Sequence, residues 1–320
     1  MKILITGVAG FIGFSLAKKL LDNNKIVYGI DDLNDYYSVS LKKKRLNELK
    51  KFKKFYFFKI DITNNKFVKN KISKLKIDLL YHFAAQPGVR YSLINPKKYY
   101  DVNIIGFQNI LKNIRKKSIK KIIYASSSSV YGDQKKFPIS EKSQLRAKNP
   151  YGLTKIINEQ IAEVYSNIIK KPFIGLRLFT VYGEWGRPDM FIIKLLNSIS
   201  KKENFYLNKN GNHDRDFTYI EDVVNICYKL INYKVKNFNT IFNICSGKKV
   251  NIKILANKIK KKFTTAKIIN VKANKADVKI TLGDNRKLKK ELKYNKFSHI
   301  NYGLNNLIKW YFKTNIHKIL

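Results

Sequence analysis

Short apolar segments alternate with longer amphipathic segments through the first half of the chain. The apolar segments predict buried β-strands at residues 2–6, 25–30, 55–60, 79–84, 121–126 and 173–179. Between them, apolar residues at helical spacing predict α-helices at about 11–23, 64–74, 98–116 and 150–169. Because strands that alternate with helices form parallel sheets with right-handed crossovers, this half predicts an α/β fold with a doubly wound parallel sheet.

The second half of the chain has a less regular pattern. It predicts helices at 189–201, 221–231, 252–262 and 302–312, with short strands at 217–219 and 240–245. We therefore expect a smaller C-terminal lobe beside the doubly wound sheet, with a cleft between them. The predicted boundaries place residues 1–180, together with about 217–245, in the larger domain, and residues 181–216 and 246–320 in the smaller lobe.

A glycine-rich turn, Gly7-Val8-Ala9-Gly10-Phe11-Ile12-Gly13, joins the first predicted strand to the first helix. Gly7 permits the tight turn, Gly10 lets the backbone approach a pyrophosphate, and Gly13 lets the helix pack closely on the sheet. The helix N-terminus offers free N–H groups and the positive end of its dipole to phosphates. This turn with its flanking elements predicts a dinucleotide site in a Rossmann fold.

Acidic residues close the second and third predicted strands. Asp31 lies 18 residues after Gly13, where a carboxylate accepts hydrogen bonds from the adenosine ribose hydroxyls. Since a carboxylate there repels a 2′-phosphate, NAD is favoured over NADP, although the neighbouring Asp32 is an alternative for this role. Asp61 closes the third strand, where it either contacts the adenine or caps the following helix.

Tyr151 and Lys155 lie one helical turn apart on one predicted helix face. A free tyrosine has a pKa of about 10, which is too high for an efficient base at neutral pH. The lysine cation and a positive nicotinamide would both stabilise the phenolate. Four serines, 126–129, follow a predicted strand at the sheet edge where such folds bind ligands. The set predicts an enzyme that uses a nicotinamide cofactor, with Tyr151 as its acid/base.

The charge balance offers a different interpretation. The chain carries 65 Lys and Arg against 22 Asp and Glu, a formal net charge of +43, which is typical of proteins that bind nucleic acid. The basic clusters are nevertheless scattered over the whole chain, at 42–45, 50–54, 258–262 and 286–290. Lysine-rich composition from AT-rich codons explains such scatter, so we expect no nucleic-acid partner. The positive field would still attract an anionic substrate.

Cysteine content and hydropathy bear on the compartment. Cys227 and Cys245 show no CxxC spacing and are predicted to be buried thiols in a reducing cytoplasm. No apolar run reaches about 18 residues, so a membrane span is not expected. Residues 2–6 predict a core strand and not part of a signal peptide. No His and Cys residues have metal-ligand spacing, so no metal site is expected.

These motifs together carry a resemblance to a known family. The chain resembles the extended short-chain dehydrogenase/reductase family, in its sugar-nucleotide epimerase branch, over essentially its whole length. The segments that carry this resemblance are 7–13, 31–37, 82–86, 103–106, 126–132, 151–155 and 215–219. Within the branch, the chain is most similar to the UDP-glucuronate 4-epimerases. The segments that carry the closer similarity are 32–37, 88–92, 126–132 and 180–190.

The resemblance implies an isomerase of carbohydrate metabolism and polysaccharide biosynthesis that holds NAD tightly. The implied reaction converts UDP-glucuronate to UDP-galacturonate. Hydride leaves C4, a transient 4-keto sugar turns over in the pocket, and hydride returns to the opposite face. Members of the family are usually dimeric through a four-helix bundle. A homodimer is therefore expected, built from the helices near 98–116 and 150–169.

The resemblance also implies individual roles. Tyr151 would be the general base on the sugar 4-hydroxyl, Lys155 would bind the nicotinamide ribose and tune Tyr151, and Ser127 would hydrogen-bond the 4-oxygen. The other implied substrate contacts are Ser128, Ser129 and Thr180 for the sugar, Arg90, Arg187 and Arg215 for negative charge, and Asp277 for the nucleotide ribose. Arg215 is tied most firmly to the diphosphate. The implied cofactor contacts are Gly7, Gly10, Phe11, Ile12, Gly13, Asp31, Asp61, Ile62, Ala84 and Lys155.

Several alternatives stay open. Residues 128–130 place no carboxylate beside the serine, which disfavours the related dehydratases and decarboxylases. An epimerase for UDP-glucose or UDP-N-acetylglucosamine remains, although those enzymes commonly have asparagine in the place of Thr180. A non-enzymatic Rossmann protein that senses NAD or binds nucleic acid is the third alternative, which the Tyr151 and Lys155 pair disfavours. We expect His82 to be structural.

Trp185 and Phe191 form an aromatic pair with two interpretations. They are either a surface on which a sugar ring stacks or part of the aromatic core, and the core role is the more frequent one for such residues.

Overall fold

The computed structural model describes residues 1–114, 118–263, 267–271 and 278–320. Its strands are β1 (Lys2–Thr6), β2 (Ile26–Asp31), β3 (Phe55–Lys59), β4 (Leu79–His82), β5 (Lys121–Ser127), β6 (Phe173–Leu178), β7 (Thr180–Tyr182), β8 (Asn204–Asn208), β9 (Asp214–Tyr219), β10 (Asn239–Ile244), β11 (Lys249–Asn251) and β12 (Lys267–Val271). None of the helices in these ranges has the length and apolar character needed to cross a membrane.

The helices separate the strands along most of the chain. They are α1 (Phe11–Asp22), α2 (Val39–Lys50), α3 (Asn65–Ile72), α4 (Val89–Ile94), α5 (Pro96–Tyr99), α6 (Gly106–Asn113), α7 (Pro150–Ile169), α8 (Phe191–Ser200), α9 (Ile220–Leu230), α10 (Ile252–Lys260), α11 (Arg286–Leu292) and α12 (Ile300–Lys313). A π-helical segment, Tyr100–Ile105, lies between α5 and α6, and short 3₁₀ turns lie at Ser128–Val130 and Ile316–Ile319.

The main sheet has seven strands in the order β3-β2-β1-β4-β5-β6-β10 among the described residues. All of its neighbouring pairs are parallel. The strand order reverses between β1 and β4, as in dinucleotide-binding folds, and ligands bind at the carboxyl ends of the strands beside such a point. The predicted doubly wound parallel sheet is therefore confirmed.

Helices cover both faces of this sheet. On β1, Ile3 and Ile5 point to the face packed by α1, where they join a core cluster with Phe14. Leu4 points to the opposite face and joins a cluster with Ile110 of α6. All five side chains are almost completely buried, and each contributes about 2 kcal/mol through the area it removes from water. Packing of this core therefore fixes the carboxyl ends of the strands, where the cleft lies.

Two small sheets complete the fold of the described residues. One has the strand order β11-β9-β7 and the other pairs β12 with β8. Residues 217–219, which the sequence placed with the larger domain, belong to β9 and pair with β7, and not with the main sheet. The predicted division into two lobes stays a prediction.

The helical pattern differs from the predicted one at several places: α2, α4 and α11 were not predicted, and one predicted helix is interrupted. Helix α2 was not predicted, because its charged residues hide the apolar face: Lys42 and Arg45 are both buried. The predicted helix at 98–116 is interrupted by the π-helical segment, which often marks a functional region. Within that segment, Asn103 accepts from Gln86 N at 2.7 Å and donates to Thr154 Oγ1 at 3.0 Å. It thus joins the loop after β4 to α7.

Candidate functional site

A cleft of about 410 Å³ opens at the carboxyl ends of the central strands. Its wall includes the glycine turn after β1, the acidic end of β2, the serine segment after β5 and the start of α7. The other side is formed by the segment around β7 and by Arg215 of β9. The cleft therefore collects, from distant parts of the chain, most of the residues that the sequence singled out.

The glycine turn has the shape that a bound pyrophosphate requires. Gly7 has φ of +73°, and a Cβ added at Gly13 would lie 2.1 Å from the Gly7 carbonyl oxygen. The turn is held by hydrogen bonds from Gly7 N to Ile30 O at 2.7 Å and from Gly10 N to Gly7 O at 3.0 Å. No side chain of the described residues caps the N-terminus of α1. Its first N–H groups therefore face the cleft ready for an anion.

Asp31 ties the glycine turn to the end of β2. Its carboxylate accepts from Ala9 N at 3.0 Å and from Leu33 N at 2.9 Å. Burial raises the pKa of Asp31, and these hydrogen bonds and the nearby Lys42 oppose that rise. Asp32 instead accepts from Asn34 N at 3.1 Å and from the Asn34 side chain. Both carboxylates line the cleft, and Asp31 is the one locked to the turn.

The other predicted cofactor contacts also line the cleft. These are Phe11, Ile12, Asp61, Ile62 and Ala84. The alternative role of Asp61 as a helix cap is wrong. Asn64 caps α3, accepting from Phe67 N at 3.3 Å, while Asp61 accepts from Thr63 N at 2.8 Å in a local turn. Because Asn64, next to the helix, already accepts from a free N–H group of its first turn, Asp61 is not the cap and remains part of the cleft wall.

Tyr151, Ser127 and Lys155 meet at the inner end of the cleft. Asn149 caps α7 by accepting from Gly152 N at 2.9 Å, which sets the first helical turn against the serine segment. Ser127 hydrogen-bonds the Tyr151 phenol, and the Lys155 ammonium lies 5.9 Å from the centre of the Tyr151 ring. Residues from two separate segments of the chain thus form one site.

The groups that set the pKa of Tyr151 differ from those expected. Burial raises the pKa of Tyr151, while the Ser127 hydrogen bond and the charge of Arg187 lower it. Lys155 was expected to have the lowering effect. Its ammonium donates instead to Ala125 O at 3.0 Å, and burial lowers its own pKa to about 8. With a pKa of about 8 the ammonium is still mostly cationic at neutral pH, and its hydrogen bond to Ala125 O holds it 5.9 Å from the centre of the Tyr151 ring.

A buried polar network lies behind Lys155. Glu159, one turn further along α7, accepts from Ser126 Oγ at 2.5 Å and from Arg177 Nε and Nη2 at 2.9 and 2.7 Å. Arg177 also donates to the Tyr131 hydroxyl at 2.9 Å, and Tyr131 donates to Asn243 Oδ1 at 2.6 Å. The network joins α7 to β5, β6 and β10, so it fixes the position of Lys155 relative to the sheet.

The predicted substrate residues divide into three groups. Ser128, Ser129, Thr180, Arg187 and Arg215 line the cleft. Arg90 lies on the exposed side of α4, donates to the Asn208 side-chain oxygen at 2.9 and 3.3 Å, and is not part of the cleft wall as the described residues form it. Asp277 lies outside the described residues. The roles of all of these residues stay predictions.

His82 is placed as a structural residue. It is 4% exposed, its Nδ1 lies 2.8 Å from Thr6 Oγ1, and its ring stacks on Phe107 at 4.7 Å. Burial and the charge of Lys155 lower its pKa to about 3, so the ring is neutral at physiological pH.

Trp185 packs between Phe14 and Trp310, with ring centres at 5.0 and 5.4 Å. Phe191 packs on Phe205, with ring centres 5.8 Å apart. Neither Trp185 nor Phe191 is part of the cleft wall in the described structure, so this pair is aromatic core and not a sugar platform.

Sequence reasoning did not identify several cleft residues. Tyr36, which lines the cleft, donates to Asp189 Oδ2 at 3.3 Å, and Asp189 pairs with Arg187, which also lines the cleft. Lys42 donates to Asn34 O at 2.6 Å beside Asp31. The available signal was the position of Tyr36 and Asp189 inside two of the segments that carry the closer family similarity.

Comparison with known proteins agrees with this geometry. The sequence model of the NAD dependent epimerase/dehydratase family matches residues 3–245. A UDP-glucuronate 4-epimerase of Thermodesulfobacterium geofontis is 39% identical over 311 residues, which cover 96% of this chain and 95% of the relative.

Solved structures of sugar-nucleotide epimerases are also similar to this chain. The crystal structure of UDP-glucuronic acid 4-epimerase from Bacillus cereus, in complex with UDP-glucuronic acid and NAD, is 31% identical and superposes with a TM-score of 0.88 over 98% of this chain and 100% of that chain. A Thermotoga maritima UDP-glucose 4-epimerase with UDP-glucose is 25% identical, with a TM-score of 0.89 over 98% of this chain and 100% of that chain. The chain therefore belongs to the NAD dependent epimerase/dehydratase family.

Proposed function

We propose that the protein is an NAD-dependent isomerase that converts UDP-glucuronate to UDP-galacturonate by inverting C4. The observation that carries the proposal is the convergence of Tyr151, Ser127 and Lys155 with the glycine turn and with Arg187 in one cleft. A phenol held by a serine hydroxyl, beside a dinucleotide turn, suits proton removal from a sugar alcohol that is oxidised in the same site.

The degree of similarity supports the acidic sugar. Among the solved structures, the identity is 31% to a UDP-glucuronic acid 4-epimerase and 25% to a UDP-glucose 4-epimerase, each over nearly the whole chain. Arg187 in the cleft also suits a sugar that carries a carboxylate. UDP-glucose is the alternative substrate, since Ser128, Ser129 and Thr180 offer hydroxyls that also suit a neutral sugar.

The residues present fit NAD. The uncapped N-terminus of α1 and the turn at Gly10 would hold the pyrophosphate, Asp31 would hold the adenosine ribose, and Lys155 would bind the nicotinamide ribose. When bound, NAD would supply the hydride acceptor for C4 and a positive charge that favours the Tyr151 phenolate. Because the hydride is borrowed and returned, the reaction has no net redox change.

Tyr151 is the acid/base that transfers the proton of the sugar 4-hydroxyl. As a phenolate it takes the proton of the sugar 4-hydroxyl while the C4 hydrogen leaves as hydride, so C4 becomes a ketone. The Ser127 hydroxyl would donate to the same 4-oxygen and hold it opposite Tyr151. On the return step, Tyr151 gives its proton back to the keto oxygen, and the product has the opposite configuration at C4.

Inversion needs a firm hold on UDP and a loose hold on the sugar. In this proposal, Arg215 binds the diphosphate, and the 4-keto sugar turns over about the diphosphate linkage. Ser128, Ser129 and Thr180 contact the sugar through short hydroxyls, which form hydrogen bonds in more than one orientation. Both ring faces of the keto sugar are thereby presented in turn to the same hydride position.

A homodimer in the cytoplasm is part of the same proposal. Apolar side chains remain exposed on α7 and on the neighbouring π-helical segment, namely Leu153, Val164, Ile168 and Ile105. A second copy of the chain would cover this stripe by packing helix against helix. Cys227 and Cys245 are buried free thiols, as predicted, and thiols of this kind suit a reducing compartment.

A product assay tests the proposal. Purified protein is incubated with UDP-glucuronate without added NAD, and the product is identified by proton NMR. We expect UDP-galacturonate, and no product from Tyr151→Phe, whereas the exposed-tyrosine control Tyr56→Phe keeps full activity. Turnover of UDP-glucose with none of UDP-glucuronate would favour the alternative substrate. Undiminished turnover by Tyr151→Phe would contradict the mechanism.

A further inference from the structure

Three distant segments meet at one point on the cleft wall. Tyr36 comes from the loop after β2, Arg187 and Asp189 come from the loop after β7, and Gly88 is the N-cap residue that precedes α4. Each segment is part of the sequence stretches that carry the closer family similarity. Their contact in space suggests that they act as one unit, which we call the Tyr36–Asp189–Arg187 cluster.

Asp189 holds one edge of the Arg187 guanidinium. Arg187 donates from Nε to Asp189 Oδ1 at 3.0 Å and from Nη2 to the other carboxylate oxygen. The two side chains are 19% and 34% exposed. A guanidinium has a second edge, and Nη1 of Arg187 donates to no residue in the part of the chain that the structure describes. That edge is available to an anion in the cleft.

Tyr36 holds Asp189 through a contact between two loops that are distant along the chain. Its hydroxyl donates to Asp189 Oδ2 at 3.3 Å, and its ring packs on Tyr91 with centres 5.3 Å apart. Gly88 makes this placement possible, because a Cβ there would lie 2.1 Å from the Tyr36 hydroxyl oxygen, and its φ is +101°. Tyr36 therefore occupies a space that only glycine at 88 leaves open.

The cluster faces the reacting end of the cleft. The point that a Cβ on Gly88 would occupy lies 2.1 Å from the Tyr36 hydroxyl oxygen and 3.4 Å from that of Tyr99, and Arg187 and Tyr151 both line the cleft. The rings of Tyr99 and Tyr151 are 6.1 Å apart in an edge-to-face arrangement. Arg187 is therefore close enough to Tyr151 for an anion bound at its free edge to belong to the sugar whose 4-hydroxyl meets Tyr151.

We propose that Asp189 and Tyr36 are positioning residues that hold Arg187 with its Nη1 edge toward an acid group on the sugar, so that the cluster selects acidic sugars over neutral ones. This inference rests on the proposed function. Pairing with Asp189 keeps the guanidinium from swinging away, and a fixed donor binds a carboxylate with less loss of side-chain entropy than a free one.

Two nearly isosteric variants test the inference. Asp189→Asn and Tyr36→Phe each loosen Arg187 while keeping its charge. We expect KM for UDP-glucuronate to rise about tenfold, kcat to change less than about threefold, and the inhibition constant of UDP to stay at the wild-type value. Asp189→Glu restores a carboxylate and is expected to recover part of the loss. Asp35→Asn and Tyr56→Phe, both at exposed residues, are the matched controls.

The outcomes separate this inference from the proposed function. If wild-type protein turns over UDP-glucuronate and both variants keep its KM, the inference fails and the proposed function stands. A lower KM in Asp189→Asn also overturns it, because Asp189 would then compete with the sugar acid for Arg187. A parallel rise in the UDP inhibition constant would show a general structural role and overturn it too. If wild-type protein does not accept UDP-glucuronate, both proposals fall.

Discussion

Tyr151 shows how neighbouring residues set the chemistry of one side chain. Burial alone raises its pKa, which would keep the phenol protonated and inactive as a base. Ser127 and Arg187 oppose that effect by stabilising the phenolate through a hydrogen bond and a positive charge. The two residues come from opposite sides of the cleft, so the acid/base is assembled by the fold and not by one helix.

Removing the Ser127 hydroxyl should slow the reaction and shift its pH profile. Ser127 lowers the pKa of Tyr151, so Ser127→Ala should raise it. Since the phenolate is the active form, activity rises with pH through this pKa, and the acid limb should move to higher pH. We expect kcat to fall about 100-fold. Ser127→Thr keeps a hydroxyl and should retain the wild-type profile. An unchanged acid limb in Ser127→Ala would contradict this role.

Much of the site was predictable at the residue scale. The spacing of residues within single segments predicted the roles of the glycine turn, Asp31, Ser127, Tyr151 and Lys155. In the structure, all of them lie in one cleft. The Tyr36 to Asp189 contact joins residues 153 positions apart, and no local pattern signals such a pair. The partners of Lys155 also depend on how α7 sits on the sheet, which spacing does not determine.

Helix α7 carries the reacting side chains, and its placement depends on one buried ion pair. Glu159 and Arg177 are both nearly completely buried and form two hydrogen bonds to each other, while Ser126 satisfies the remaining side of the carboxylate. Removing one partner of such a pair leaves a buried charge without compensation, so its effect on stability is large. The ion pair thus anchors the catalytic helix to β5 and β6.

Glu159→Gln should destabilise the fold. We expect the free energy of unfolding to fall by about 3 kcal/mol, because Arg177 keeps its charge and loses its counter-ion. Urea denaturation followed by circular dichroism measures the change. The matched control is Asp22→Asn, which breaks the exposed pair with Lys18 and should cost less than about 1 kcal/mol. Equal effects of the two variants would contradict the anchoring role.

Elements were predictable where one physical pattern dominates. The central strands are continuous apolar runs buried on both faces, and their positions agree with the predicted ones to within about two residues. Helix α2 was missed because its core-facing positions include a lysine and an arginine, which the fold uses for polar contacts. Within the described ranges, strands β8 and β12 pair only with each other, and neither was predicted from the sequence.

At the scale of the whole molecule, the exposed apolar stripe on α7 supports the proposed packing against a second copy of the chain. Val164 and Ile168 are 56% and 60% exposed and lie one turn apart, and Leu153 lies three turns earlier on the same side. Ile105 of the neighbouring π-helical segment adds to the apolar surface. An apolar stripe along two adjacent helices is typical of helix packing between subunits.

Ile168→Lys should therefore convert a dimer to a monomer. We expect the wild-type chain to sediment at about twice the monomer mass of 37.5 kDa, and the variant at that monomer mass. Ile254→Lys places the same charge on an exposed apolar residue of α10 and should leave the dimer intact. Analytical ultracentrifugation makes the measurement. A wild-type monomer, or a variant that remains dimeric, would contradict the proposed interface.

In the proposed reaction, one hydrogen leaves C4 as hydride, stays in the site and returns to the same carbon. The direct measurement uses UDP-glucuronate labelled with deuterium at C4, converted in ordinary water and analysed by NMR. We expect UDP-galacturonate that retains the deuterium at C4, since Tyr151 exchanges only the oxygen-bound proton. Product that carries solvent hydrogen at C4 would contradict it.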